Sequence, residues 1–298
     1  MTTPEDNLPA PQENAGVEAT GESSLTAQAP VVTPAAVLSQ QALPEDLRTP
    51  WSWGYLVLFV VLAFFTLIFL ELSFEVYAMV RLRLTYAELQ RLATTSAAYI
   101  TARQALWFAA LMLYLFVLIR GLQGQPFWRT IGWRPLRPRS MTPGAAVLLC
   151  LVGGCGLAFA ISLVGSRLID PKTRLPIQEL LQDRQSVLLV MVLAVLAAPL
   201  VEETIFRGYI YPVVARSFGV PAGVLVTGIL FGLLHAMQLG GAWGLVTLLA
   251  VVGIVLTYVR ARTGTVLASY LLHLGYNSML FVSTAISTHG FRHFPTSP

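Results

Sequence analysis

Charge is what this sequence has least of. Asp, Glu, Lys and Arg make up 11% of its 298 residues and hydrophobic types 55%, whereas soluble domains carry roughly 25% charged residues. An ordinary soluble core is therefore excluded. Lysine is all but missing: Lys172 is the one lysine among 19 cationic residues, and that arginine bias suits a GC-rich bacterial genome. The arginines sit mostly in loops between apolar runs, where they suit anionic lipid headgroups. The aromatic residues lie inside or beside those runs, so a nucleic acid is offered no base-stacking surface and is not expected as a partner. Cysteine is limited to Cys150 and Cys155 in one apolar run. Their spacing fits neither a CxxC redox pair nor a zinc knuckle, and they read as small packing residues. The serine-hydrolase elbow GxSxG and the zincin motif HExxH are both absent.

What the chain has instead is a series of long apolar runs. Residues 1–48 precede them, rich in Pro, Ala, Glu, Gln and Thr, with acids from Glu5 to Asp46 against Arg48 alone. Too few large apolar side chains are present to build a core, so a disordered acidic tail is expected. It has no basic stretch ahead of an apolar one and is not a signal peptide. Apolar runs over 51–80, 97–119, 143–166, 186–216, 221–238, 243–260 and 265–284 then read as spanning helices. The fold class expected is all-α: a polytopic membrane protein, a bundle of about seven transmembrane helices around a polar intramembrane cavity, with a short or re-entrant eighth as the alternative. One membrane domain would cover 49–286, and 287–298 would form a short tail. An integral protein of a bacterial inner membrane is the expected setting.

Six polar residues interrupt the last third of this apolar sequence: Glu202, Glu203, Arg207, His235, His273 and Asn277. Ionisable groups at membrane depth cost free energy and mark functional sites. Glu203 and Arg207 stand one helical turn apart and can pair, while Glu202 is turned about 100° away. A lone imidazole in an apolar helix is more often a packing or interhelical hydrogen-bonding residue, so depth is what argues for a site. Glu202 lies about 21 Å along its helix from Arg216, at 1.5 Å per residue, and His235 lies about 21 Å beyond Pro221 on the next, antiparallel helix. His273 is about 14 Å and Asn277 about 20 Å from Gly264 on the last helix. Four side chains from three helices thus reach one layer.

Those residue types suit hydrolysis of an acyl bond without a covalent intermediate. A carboxylate and an imidazole flanking one water can take its proton, and a second imidazole with an amide can donate to a developing oxyanion. Alternatively Glu202, His235 and His273 would ligate Zn²⁺, leaving a fourth position for water. Few acceptors are expected for the other imidazole nitrogens, and Asn277 is expected to turn its amide toward substrate, so the metal-free arrangement, with no cofactor, is the expected one. The same polar layer would also serve a non-catalytic membrane immunity or scaffold protein, or a proton-coupled transporter.

At these positions the chain resembles the CAAX protease and bacteriocin-processing family of intramembrane endopeptidases, which includes the Ras-converting CAAX endopeptidase. The EExxxR motif matches Glu202, Glu203 and Arg207; FxxxH matches Phe231 and His235; HxxxN matches His273 and Asn277. Each motif is short, but all are present in order on consecutive apolar segments, and the resemblance covers roughly 140–285. It implies a glutamate-dependent endopeptidase with Glu202 as base beside His235, and with His273 and Asn277 stabilising the oxyanion. Glu203, Arg207 and Phe231 would support them. The substrate implied is a peptide or protein tail, lipidated tails included, reached from the lipid bilayer. Members of the family have also been described as metalloproteases.

Overall fold

The computed structural model describes residues 44–138, 140–168 and 183–291. The expected acidic tail up to residue 43, most of the loop between the third and fourth spans, and the end of the C-terminal tail, with His293, lie outside the described residues. The described chain is an all-α membrane bundle with no strand among its described residues. Its helices are α1 (Trp53–Arg81), α2 (Tyr86–Thr95), α3 (Ala97–Gly121), the single turn α4 (Phe127–Thr130), α5 (Pro143–Leu168), α6 (Arg184–Phe218), α7 (Val220–Leu234), α8 (Trp243–Thr263) and α9 (Val266–Ser287). Six of them, α1, α3, α5, α6, α8 and α9, are long and apolar enough to cross a membrane, and α7 is a shorter apolar helix.

Local chemistry accounts for the helix ends. Thr85 and Glu88 form a reciprocal capping box that starts α2. Asp183 caps α6 through the backbone N–H of Ser186, and the Ser186 hydroxyl and N–H hold its carboxyl below the usual aspartate value. Gly264, in the left-handed conformation, ends α8 and opens the tight turn into α9. Inside α6 the backbone widens twice into π-helical geometry, over Val192–Ala197 and Thr204–Ile210, and a proline follows each stretch, Pro199 and Pro212. A proline ring collides with the carbonyl four residues back, and a register of five relieves that collision.

The fifth apolar run was expected to remain helical to residue 238, but α7 stops at Leu234. The His235 side chain is the cause. Its Nδ1 bonds the Phe231 carbonyl at 2.7 Å, the acceptor its own backbone N–H would take in a continuing helix. That N–H turns to Gly232 instead. A side chain competing for a backbone acceptor unwinds the helix.

Two close helix contacts set the scaffold. A Cβ on Gly253 of α8 would stand 2.5 Å from the Gly228 carbonyl of α7, and one on Gly154 of α5 would collide with the Leu272 carbonyl of α9. Without those methyls the backbones approach as small-residue membrane interfaces allow.

The expected tail boundary at residue 48 also moves. Residues 44–51 run onto the bundle as a strap. Glu45–Leu47 form a 3-10 turn, Leu47 is buried against Tyr211, Ala215 and Val224, and Asp46 Oδ2 accepts from Arg260 Nη1 at 2.8 Å. Arg216 donates to the carbonyls of Thr49 and Trp51, and the Trp51 ring stacks on Tyr209 at 5.0 Å. Composition marked these residues as polar tail; the strap forms because Arg260, only 1% exposed, requires a carboxylate. Removal of residues 1–43 is expected to leave the melting temperature in detergent unchanged. Removal of 1–50, or Asp46→Ala in the full chain, is expected to lower it. Equal melting temperatures for the two truncations would show that the strap carries no stability.

Candidate active site

The site grows out of the middle of α6. Glu203 and Arg207 follow one another by a turn, and both side chains are fully buried. Arg207 Nη1 donates to Glu203 Oε1 at 2.9 Å, Nη2 to the Gly253 carbonyl at 2.9 Å and Nε to the Thr257 hydroxyl at 3.2 Å. Every nitrogen of the guanidinium is committed, two of them to α8, so Arg207 is a rivet between helices. Its Cζ lies 4.5 Å over the Phe231 ring, a desolvated cation–π contact. Gly253 and Thr257 carry no sequence signal of this role; only the i,i+4 spacing of Gly253 and Thr257 on one face of α8 is consistent with it.

Phe231 is the hub of the ring packing. Its centroid is 5.1 Å from Phe206, 4.7 Å from His235 and 5.7 Å from His273. A phenyl ring here excludes water from one side of both imidazoles and fixes their separation.

The two imidazoles point their Nε2 atoms at Glu202. His235 Nε2 is 3.7 Å from Glu202 Oε1, and His273 Nε2 is 3.9 Å from Oε2. These separations exceed a direct hydrogen bond but let one water bond both sides. The Glu202 and His235 side chains keep 17% and 18% exposure, whereas that of His273 keeps 5%. The opening therefore lies on the Glu202–His235 side.

Hydrogen-bond partners decide the tautomers. A carbonyl only accepts, so His235 Nδ1 carries the proton it gives to Phe231. Glu203 Oε1 accepts from Arg207 and lies 2.9 Å from His273 Nδ1, which therefore carries a proton as well. Acceptors for the outer imidazole nitrogens were expected to be few. Both are in fact provided: the Phe231 carbonyl serves His235, and one Glu203 oxygen serves Arg207 and His273 together, which the pairing rule for α6 alone does not reveal.

Asn277, expected to turn its amide toward substrate beside His273, is half-buried and donates one hydrogen of Nδ2 to the Ala194 carbonyl of α6 at 2.7 Å; the amide nitrogen carries a second hydrogen. Of the serines on α9, Ser269 is buried and gives its hydroxyl to the Val266 carbonyl.

The arrangement is a polar cluster enclosed by apolar helices, with two imidazole Nε2 atoms 3.7 and 3.9 Å from one carboxylate. That defines the class: a helical membrane protein with a buried cluster of carboxylate, imidazole and guanidinium groups. Residues 184–279 match the family model described as type II CAAX prenyl endopeptidase Rce1-like. The match covers α6 to α9, about a third of the chain, and includes every residue of this cluster. Over these residues the chain carries that family's signature, in agreement with the resemblance of its EExxxR, FxxxH and HxxxN motifs. No curated protein and no solved structure matches the chain.

Proposed function

We propose that the protein is an intramembrane endopeptidase, in a bacterial inner membrane, that hydrolyses peptide bonds with a water activated by Glu202 and His235. One observation carries the reading: Glu202 and His235 Nε2 face each other at 3.7 Å at the exposed edge of a buried cluster, and the proton on His235 Nδ1 leaves Nε2 free to accept. A water between them gives a hydrogen bond to each and keeps a lone pair for the scissile carbonyl. Glu202 takes the proton as that oxygen attacks. The leaving amine then receives it back.

His273 is the proposed oxyanion donor. Donation from Nε2 requires the imidazolium, since Nδ1–H already faces Glu203. The substrate class is a peptide or protein tail entering from the lipid side, lipidated tails included.

The residues meet one requirement of a resident zinc and miss another: Nδ1 of each imidazole has the acceptor a zinc-ligating histidine needs, but the ligand spacing is wide. Tetrahedral bonds of 2.0–2.1 Å place ligands about 3.3–3.4 Å apart, and the Glu202–histidine separations are 3.7 and 3.9 Å. Among the described residues no group of three or more His, Cys, Asp or Glu is placed to hold a metal ion. The reading is tested by incubating the purified protein with a peptide library, with and without a chelator, alongside elemental analysis. Cleavage that survives chelation, without stoichiometric zinc, is expected. About one zinc per chain, lost in His235→Ala, would overturn the metal-free mechanism and make Glu202, His235 and His273 its ligands.

A further inference from the structure

Thr204 directly follows the two carboxylates of α6 and is fully buried. Its hydroxyl donates to the Leu200 carbonyl at 2.7 Å, closing the turn that carries both Glu202 and Glu203. The same oxygen accepts from the indole Nε1 of Trp133 at 3.0 Å. Trp133 lies in the loop between α4 and α5, outside residues 184–279 of the family match. Its neighbours fasten that loop to two helices at once. Ile131 lies against Gly208 of α6, where an added Cβ would meet the Ile131 carbonyl at 2.8 Å. At the start of α9 the Gly132 carbonyl accepts from the Val266 N–H at 2.9 Å. Beside it the Thr265 hydroxyl accepts from the Arg134 N–H at 3.2 Å and donates to the Arg134 carbonyl at 2.6 Å. The Trp133 ring packs on that of Tyr270, with centroids 5.3 Å apart, on the turn of α9 that precedes His273.

We propose that Trp133 is a positioning residue: through Thr204 it fixes the rotation of α6 about its own axis, and so the aim of Glu202 at the two imidazoles. The inference rests on the proposed peptidase reading. His273 Nδ1 holds Glu203 at 2.9 Å, which ties α6 to α9 at one point but leaves α6 able to turn about it. Successive residues of a helix point about 100° apart, so a second hold on Thr204 comes from another direction and blocks that turn. Side-chain ends stand roughly 5–6 Å from a helix axis, so a rotation of roughly 10° carries Glu202 by roughly 1 Å. A misplacement of that size costs about a hundredfold in rate. The hold is a firm one, because an indole N–H or a hydroxyl left alone in an apolar interior is an unmet polar group. Trp133 acts through Thr204 and Glu202 and touches no reacting atom.

Trp133→Phe keeps a ring and removes the donor. Thr204→Val keeps the volume and removes the acceptor, whereas Thr204→Ser keeps the hydroxyl. These three and the Trp133→Phe/Thr204→Val double variant are compared in detergent for kcat and KM on a cleaved peptide, and for melting temperature. Trp133→Phe is expected to lower kcat by roughly ten- to a hundredfold. KM is expected to change by less than about twofold, the pattern of an interaction lost only in the transition state. Thr204→Val is expected to behave likewise, with the double variant within about twofold of the slower single one and Thr204→Ser within about threefold of native. A native kcat in Trp133→Phe, a raised KM at unchanged kcat, or losses that multiply in the double variant would overturn the proposal. If Trp133→Phe does not fold, Thr204→Val against Thr204→Ser decides: the lower kcat in Thr204→Val supports the tie, and equal values overturn it. A native chain that cleaves nothing defeats the peptidase reading instead. The tie is then read from melting temperatures, whose losses are expected to overlap in the double variant; additive losses overturn it.

Discussion

Glu202→Gln is expected to abolish hydrolysis while leaving the bundle as stable as the native chain. Glutamine keeps the volume of the side chain and removes its ability to take a proton. Among the described residues the approaches of Glu202 to the imidazoles, at 3.7 and 3.9 Å, are longer than hydrogen bonds, so little structure is lost with its charge. General-base assistance contributes roughly 10²–10⁴-fold, and the loss in kcat is expected at the upper end, because among the described residues the nearest other carboxylate, Glu203, is committed elsewhere. Glu203 cannot substitute: its Oε1 is held by Arg207 and His273 and its side chain is fully buried. Single-turnover cleavage of a reporter peptide by the two proteins, with melting temperatures measured in parallel, checks this. A Glu202→Gln protein that cleaves at the native rate would remove Glu202 from the mechanism. A protein that exchanges protons across vesicles without cleaving peptide would favour transport through the same polar layer.

The second large effect concerns stability. Arg207→Ala removes three donors at once, leaving Glu203 Oε1 with His273 and the Gly253 carbonyl with the Thr257 hydroxyl. Glu203 Oε2 already lacks a hydrogen bond within the described residues, so His273 would be the carboxylate's remaining partner there. Breaking a buried pair by deleting one partner costs roughly 3–5 kcal/mol. The expected result is a large drop in melting temperature, with loss of activity following from loss of the α6–α8 contact. Arg207→Lys is expected to rescue little, because one ammonium cannot reach three acceptors on two helices in the guanidinium's planar geometry. Native-like stability for Arg207→Ala would mean that the cluster is hydrated in the membrane.

Much of the site was legible before any coordinates. Apolar run length located the helices, since a membrane demands about 20 apolar residues per crossing. A fixed rise of 1.5 Å per residue turned sequence position into depth, which is why Glu202, His235 and His273 could be assigned to one layer. The i,i+4 spacing of Glu203 and Arg207 announced their pairing, and the structure has it at 2.9 Å. These features are one-dimensional: they depend on counting along a helix.

Tertiary structure decided what counting cannot reach. Asp46 and Arg260 are 214 residues apart, and nothing local in a polar segment says that it covers a buried guanidinium. The stop of α7 at Leu234 depends on which way one imidazole turns. The acceptor for Asn277 is a backbone carbonyl, which has no side-chain signature. The sequence by itself therefore determined the class of fold, the polar layer and its residue types, because hydrophobic period and helical rise are local properties. Which nitrogen faces which oxygen was decided by packing between helices, where each buried polar group must take whatever partner its neighbours leave within reach.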